Sequence, residues 1–180
     1  MSSYSYTIKD LTDRVQQYHK LLHNTQHYRK IWEASLKNQL IRWLDEVIKD
    51  VGLPAEIEEA ETPYANLHGI MVSLGFERTD IAQIIDDEVR KPLYKFKGAL
   101  GYYQVFNGKI KTVIHMPAIE EIQKPLPDKL LSIYRPDEFN KDLIVEHLVR
   151  FMDEICQYED FDDEERPPSI GFHPAQRRKK

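Results

Sequence analysis

The sequence predicts an α+β domain, with a long N-terminal helix and a C-terminal helix packed on a small antiparallel sheet that holds an Asn-Gly hairpin. Three observations lead there. Large side chains recur every three or four residues from Ile8 to Val51. Two apolar-rich runs, 100–106 and 109–116, flank Asn107-Gly108. A second helical periodicity starts near Pro136 and ends near Tyr158.

The chain has 180 residues, 41% of them hydrophobic and 31% charged, which suits one packed core under a charged surface. A frayed start over 1–7, a single domain over 8–158 and a charged, disordered tail over 159–180 are expected. The tail is acidic from Glu159 to Glu165, passes Pro167-Pro168 and ends on Arg177-Arg178-Lys179-Lys180.

The N-terminal seam consists of Ile8, Leu11, Val15, Tyr18, Leu22, Thr25, Tyr28, Trp32, Leu36, Leu40, Trp43, Val47 and Val51. That is a helix period held over more than five heptads. Gly52 and Pro54 supply the stop. One straight helix over 8–50 would run about 65 Å at about 1.5 Å per residue. A compact chain of this size has a radius of gyration of only about 16 Å. The helix must therefore break, with His23-Asn24-Thr25 the natural place, or its outer half must pack on a partner. The seam keeps phase through that site, which favours continuity and a homodimer built on the helix. Trp32, Leu36 and Trp43 are the expected interface residues.

The middle of the chain reads as follows. Residues 55–61 suit a short edge strand. In a strand over 67–77, His68, Ile70, Val72, Leu74 and Phe76 share one face. Asp80 and Gln83 have capping-box spacing and open a helix that ends near Arg90, before Pro92. Asn-Gly suits a two-residue type I′ turn. That turn pairs Val105 with Ile110 and puts Tyr103, Val105, Ile110, Thr112 and Ile114 on the core face. Tyr102, Phe106, Lys109 and Lys111 then lie on the other face. A short helix is expected over 118–123, and 128–134 is open between helix and strand. The last helix carries Phe139, Leu143, Ile144, Leu148, Phe151, Met152 and Ile155 at helical spacing.

Charge is segregated. Residues 14–44 carry +5 and residues 89–119 carry +6, against a chain total of −5, leaving −16 elsewhere. Charge runs are usually solvated faces, so internal neutralisation is the first reading. The second is a surface shared by the two basic stretches that meets a polyanion. Its residues would be Tyr102, Phe106, Lys109 and Lys111 on the hairpin, with Lys95 and Lys97 just before it, rings beside ammonium groups.

Several classes are excluded or disfavoured. No run of about 18 uncharged apolar residues spans a membrane, and the start lacks a secretory signal, so a cytoplasmic protein is expected. A single cysteine, Cys156, rules out an internal disulfide and a multi-cysteine zinc site, and is read as a packing residue. No phosphate loop, dinucleotide fingerprint or nucleophile elbow occurs. His19, His23 and His27 form a helical row, but no carboxylate lies between Arg14 and Ile31 to complete a metal shell. Asp86-Asp87-Glu88 followed by Lys91 point in different directions on a helix and make a poor metal site. His68 and His115 on strands read as a buried hydrogen-bonded pair. No catalytic residue, metal ligand or cofactor is assigned.

Three functions follow. The first is a non-enzymatic interaction protein, homodimeric through the long helix, with itself or another protein as partner. The second is a nucleic-acid-binding protein that uses the hairpin face and the basic helix. The third, an enzyme, would show itself as a deep pocket holding His68 or His115 beside a carboxylate.

Overall fold

The computed structural model of the chain describes residues 6–60, 67–86, 89–120, 122 and 126–160. The expected frayed start lies largely, and the charged tail almost wholly, outside these residues. The architecture is α+β, as the sequence indicates. Helix α1 (Ile8–Ile31) continues through a π-helical turn (Trp32–Leu36) into α2 (Lys37–Val51). Five strands form one antiparallel sheet in the order β1 (Glu56–Ala60), β2 (Gly69–Ser73), β5 (Ala99–Gln104), β6 (Ile110–His115), β8 (Lys129–Tyr134). Three more, β3 (Phe76–Ile84), β4 (Arg90–Phe96) and β7 (Ala118–Ile119), form a second antiparallel sheet. Helix α3 (Lys141–Glu159) follows a short 3-10 turn over Pro136–Glu138. Among the described residues, no helix is long and apolar enough to cross a membrane.

Helices α2 and α3 cover one face of the five-stranded sheet. Trp32, Leu36, Leu40, Leu44, Val47 and Ile48 meet Ile70, Val72, Leu100, Tyr102, Ile110 and Ile114 from the strands. From α3 and the turn before it come Phe139, Ile144, Leu148, Phe151 and Ile155. The buried helix positions 32, 36, 40 and 44 are spaced by four. An ideal helix would rotate them steadily off the sheet. The π turn, closed by the Lys37 amide donating to the Trp32 carbonyl, widens one turn and keeps them aligned. The helix thus does not break at Asn24; its irregularity sits at Trp32–Leu36.

Local chemistry sets the ends. Thr7 caps α1 and exchanges hydrogen bonds with Asp10, whose carboxyl pKa those bonds lower. Gly52, at φ +68°, ends α2 in the left-handed conformation, and the Leu53 amide donates to the Ile48 carbonyl. Asn140 caps α3 by accepting from the Leu143 amide at 2.9 Å.

Four expectations need correction. The helix expected over 80–90 is not formed by its described residues: β3 and β4 pair antiparallel, with Thr79 Oγ1 donating to the Leu93 carbonyl across the pair, and residues 87–88 lie outside the described residues. The β-branched residues Thr79, Ile81, Ile84 and Val89 favour a pleated strand over the helix that their spacing suggested. Residues 118–119 form the short strand β7, and Lys129–Tyr134 is a strand. Cys156 is exposed, one position past the buried Ile155.

The last correction concerns the turn between β5 and β6. It is not a two-residue Asn-Gly turn. The Gly108 amide donates to the Val105 carbonyl, the Val105 amide donates to the Lys109 carbonyl, and Gly108 has φ +77°. That is a three-residue loop with a left-handed glycine. The pairing shifts by one, to Gln104 with Ile110 and Tyr103 with Lys111. A one-residue slip turns every side chain of a strand over. Leu100, Tyr102 and Gln104 therefore face the core, and Gly101 and Tyr103 face outward.

Candidate functional site

The register shift decides what the outer face of the large sheet can do. Tyr103 now stands beside His115 on the neighbouring strand, its hydroxyl 2.7 Å from Nε2. The segment before β8 brings Asp128, whose Oδ1 lies 2.8 Å from His115 Nδ1. The three form a hydrogen-bonded line of phenol, imidazole and carboxylate. The ring of Tyr103 lies on two glycines. A Cβ on Gly101 would come 2.3 Å from Tyr103 Cε2, and one on Gly69 would come 2.6 Å from Cδ1. Only glycine at both positions lets the ring lie against the strands. The His115 ring meets it edge-on, with 5.7 Å between centroids.

This line occupies one wall of a hollow of about 560 Å³ between the two sheets. Phe76, Tyr94, Phe96 and Ala118 come from the small sheet, with Met71, Met116 and Leu126 completing the apolar lining. Glu120 and Asp128 are its carboxylates. Among the described residues, no lysine or arginine lines it. Burial, and then the Asp128 charge, push the Tyr103 pKa up. The phenol keeps its proton at neutral pH and is a hydrogen-bonding group rather than a nucleophile.

In the neutral tautomer that carries its hydrogen on Nδ1, His115 donates to Asp128 Oδ1, and Nε2 accepts from the Tyr103 hydroxyl. The phenol oxygen then has lone pairs to offer the hollow. A hollow with His115 beside the Asp128 carboxylate, the expected mark of an enzyme, is thus present, though half-open; among the described residues its lining holds no serine, threonine, cysteine or lysine. His68 and His115 do not pair. His68 precedes β2, is half-exposed and lies 3.4 Å from Glu33; β5 separates its strand from β6.

The sequence-derived surface residues are dispersed. Tyr102 is fully buried, its hydroxyl 3.3 Å from His147 Nδ1, so it cannot stack on a base. Phe106 is exposed at the loop tip, where its carbonyl accepts from Arg29 Nη2 at 2.8 Å. Lys109 and Lys111 lie on the outer side of the hairpin. Lys95 Nζ sits 2.5 Å from Glu159 and 3.8 Å from Glu77, and Lys97 lies in the link to β5. Lys37 pairs with Glu59 at 2.7 Å, so parts of the basic stretches meet acids of the same chain.

The expected interface residues divide as well. Trp32 and Leu36 are buried in the chain's own core and are not free to anchor a partner. Trp43 is half-buried against that core. The outer seam behaves differently: Ile8, Leu11, Val15, Tyr18 and Leu22 are all exposed, and α1 buries none of its residues.

Sequence reasoning missed Tyr103, Asp128 and His147. The glycines at 69 and 101 were the available signal for Tyr103, since a glycine inside a strand marks a close approach. His147 on α3 is fully buried between Tyr102 and Tyr134, with Nε2 3.1 Å from the Tyr134 hydroxyl. No family model, curated protein or solved structure matches this chain.

Proposed function

We propose that this protein is a non-enzymatic interaction protein that works as a homodimer, with α1 pairing against α1 of a second copy. One observation carries this reading. The stripe Ile8, Leu11, Val15, Tyr18 and Leu22 runs in heptad spacing along a helix whose residues 8–23 are exposed throughout. The hairpin loop touches the helix only further on. A Cβ on Gly108 would meet the Thr25 carbonyl at 2.8 Å, and Arg29 holds the Phe106 carbonyl. About 24 Å of helix therefore extends beyond that contact.

A free-standing helix of this length is marginal in water, and most helices owe their stability to a buried apolar face. Two copies laid seam to seam supply that face. Each large apolar side chain taken from full exposure to full burial is worth about 1.5–3 kcal/mol. Ten such side chains, each about half to four-fifths exposed, contribute on the order of 10 kcal/mol, above the lower estimates of the association cost, about 4 kcal/mol upward.

The test is the molar mass in solution of the native chain and of Val15→Glu with Leu22→Glu, by light scattering after size exclusion. The native chain is expected at twice its 21.3 kDa. The double variant is expected at 21.3 kDa with its core fold intact. A native dimer that survives both charges would place the interface elsewhere.

A further inference from the structure

We propose that the hollow between the two sheets is a binding site for a small arylalkylamine, with the aryl group among Phe76, Tyr94 and Phe96 and the ammonium at the Tyr103 hydroxyl, in the field of the carboxylates Glu120 and Asp128 that line the same hollow. This site is independent of helix pairing.

Its size is that of a small-molecule site, which typically spans about 300–1,000 Å³ and combines an apolar lining with a few directed polar groups. Here the apolar part is mainly aromatic and thioether, and the polar groups are Tyr103, His115, Asp128 and Glu120. The Tyr103 ring is held by a floor of Gly69 and Gly101 and by the His115 hydrogen bond. Binding sites need such fixed groups.

The direction of the hydrogen bonds selects the ligand. With the imidazole neutral, the proton of Tyr103 points to His115, and that of His115 Nδ1 points to Asp128. The phenol oxygen therefore accepts. Glu120 and Asp128 also accept, and they bring negative charge. Among the described residues, no lysine or arginine lines the hollow, and the neutral His115 leaves their charge in place. A carboxylate or phosphate ligand would meet acceptors and like charge. An ammonium offers donors and positive charge, and its attraction to aromatic faces adds to both.

The test uses 2-phenylethylamine at pH 8, with 3-phenylpropionate as the anionic counterpart and 2-phenylethanol as the neutral one. The readout is the methyl signals of Met71 and Met116 in the full chain, followed by NMR titration. The amine is expected to shift both methyl signals and to bind at least about tenfold tighter than the carboxylate, with the alcohol between them. Tyr103→Phe removes one acceptor and is expected to weaken the amine about tenfold. Glu120→Gln, at an exposed position, keeps the fold whatever Tyr103→Phe does, and is expected to weaken the amine several-fold. Equal or tighter binding of 3-phenylpropionate, no shift at either methionine, or amine affinity unchanged in Glu120→Gln would overturn the proposal.

Discussion

Lowering the pH from 8 to 5 destabilises the fold through His147, and replacing His147 by Gln removes that dependence. The imidazole is buried among Tyr102, Tyr134 and Phe139, with a tyrosine hydroxyl at each nitrogen. A neutral ring satisfies both contacts, donating at one nitrogen and accepting at the other. A second ring proton would put a charge into this solvent-excluded core position. Burial, helped by the nearby Arg150 charge, lowers the pKa of His147 to about 4 from 6.5. Below pH 6.5 the unfolded chain takes up this proton and the folded chain does not. Stability is thus complete above about pH 6.5 and falls until the folded ring titrates near pH 4. At about 1.36 kcal/mol per pH unit, the loss by pH 5 reaches at most about 2 kcal/mol.

Urea unfolding of the native chain and of His147→Gln, at fixed protein concentration from pH 8 to 5, isolates this contribution. Glutamine keeps a donor and an acceptor but does not titrate, so the gap between the two proteins should close as pH falls. A gap that stays constant, or an imidazole signal that titrates near pH 6.5, would refute the reasoning.

Other perturbations have defined outcomes. Gly101→Ala drives a Cβ into the Tyr103 ring and should cost about 1–3 kcal/mol in urea unfolding while the Tyr103–His115 hydrogen bond is lost from the imidazole nitrogen shifts. Leu44→Ala, at a fully buried core position, should cost about 2–5 kcal/mol in the same assay. Thr7→Ala removes the cap of α1 and should cost about 1 kcal/mol, read as faster amide exchange over the first turns and no change in the sheets.

The helices were legible because their signals are redundant. Gly52 and the apolar set of α3 each stand where the sequence placed them, since helix period and stop chemistry agree there. The 44 residues from Ile8 to Val51 run as one helix, as the unbroken seam indicated. The candidate hollow was not legible, for two physical reasons. Tyr102 and Tyr103 are neighbours of like type, so only the turn decides which is buried. Asn-Gly suits a two-residue turn, yet here Gly108 supplies a positive φ in a three-residue loop. The helix expected at 80–90 failed differently: its apolar spacing is helical, but Ile81, Ile84, Ile85 and Val89 are all exposed and pack on no core. Periodicity indicates burial, and where nothing is buried, β-branched propensity and pairing with β4 decide.

Sedimentation equilibrium of the unmodified chain from about 1 to 100 μM tests the central claim most directly. Pairing of α1 with a second copy predicts a mass that rises to twice 21.3 kDa within that range and goes no higher. A mass of 21.3 kDa throughout would contradict the account and leave the exposed stripe from Ile8 to Leu22 to a different protein.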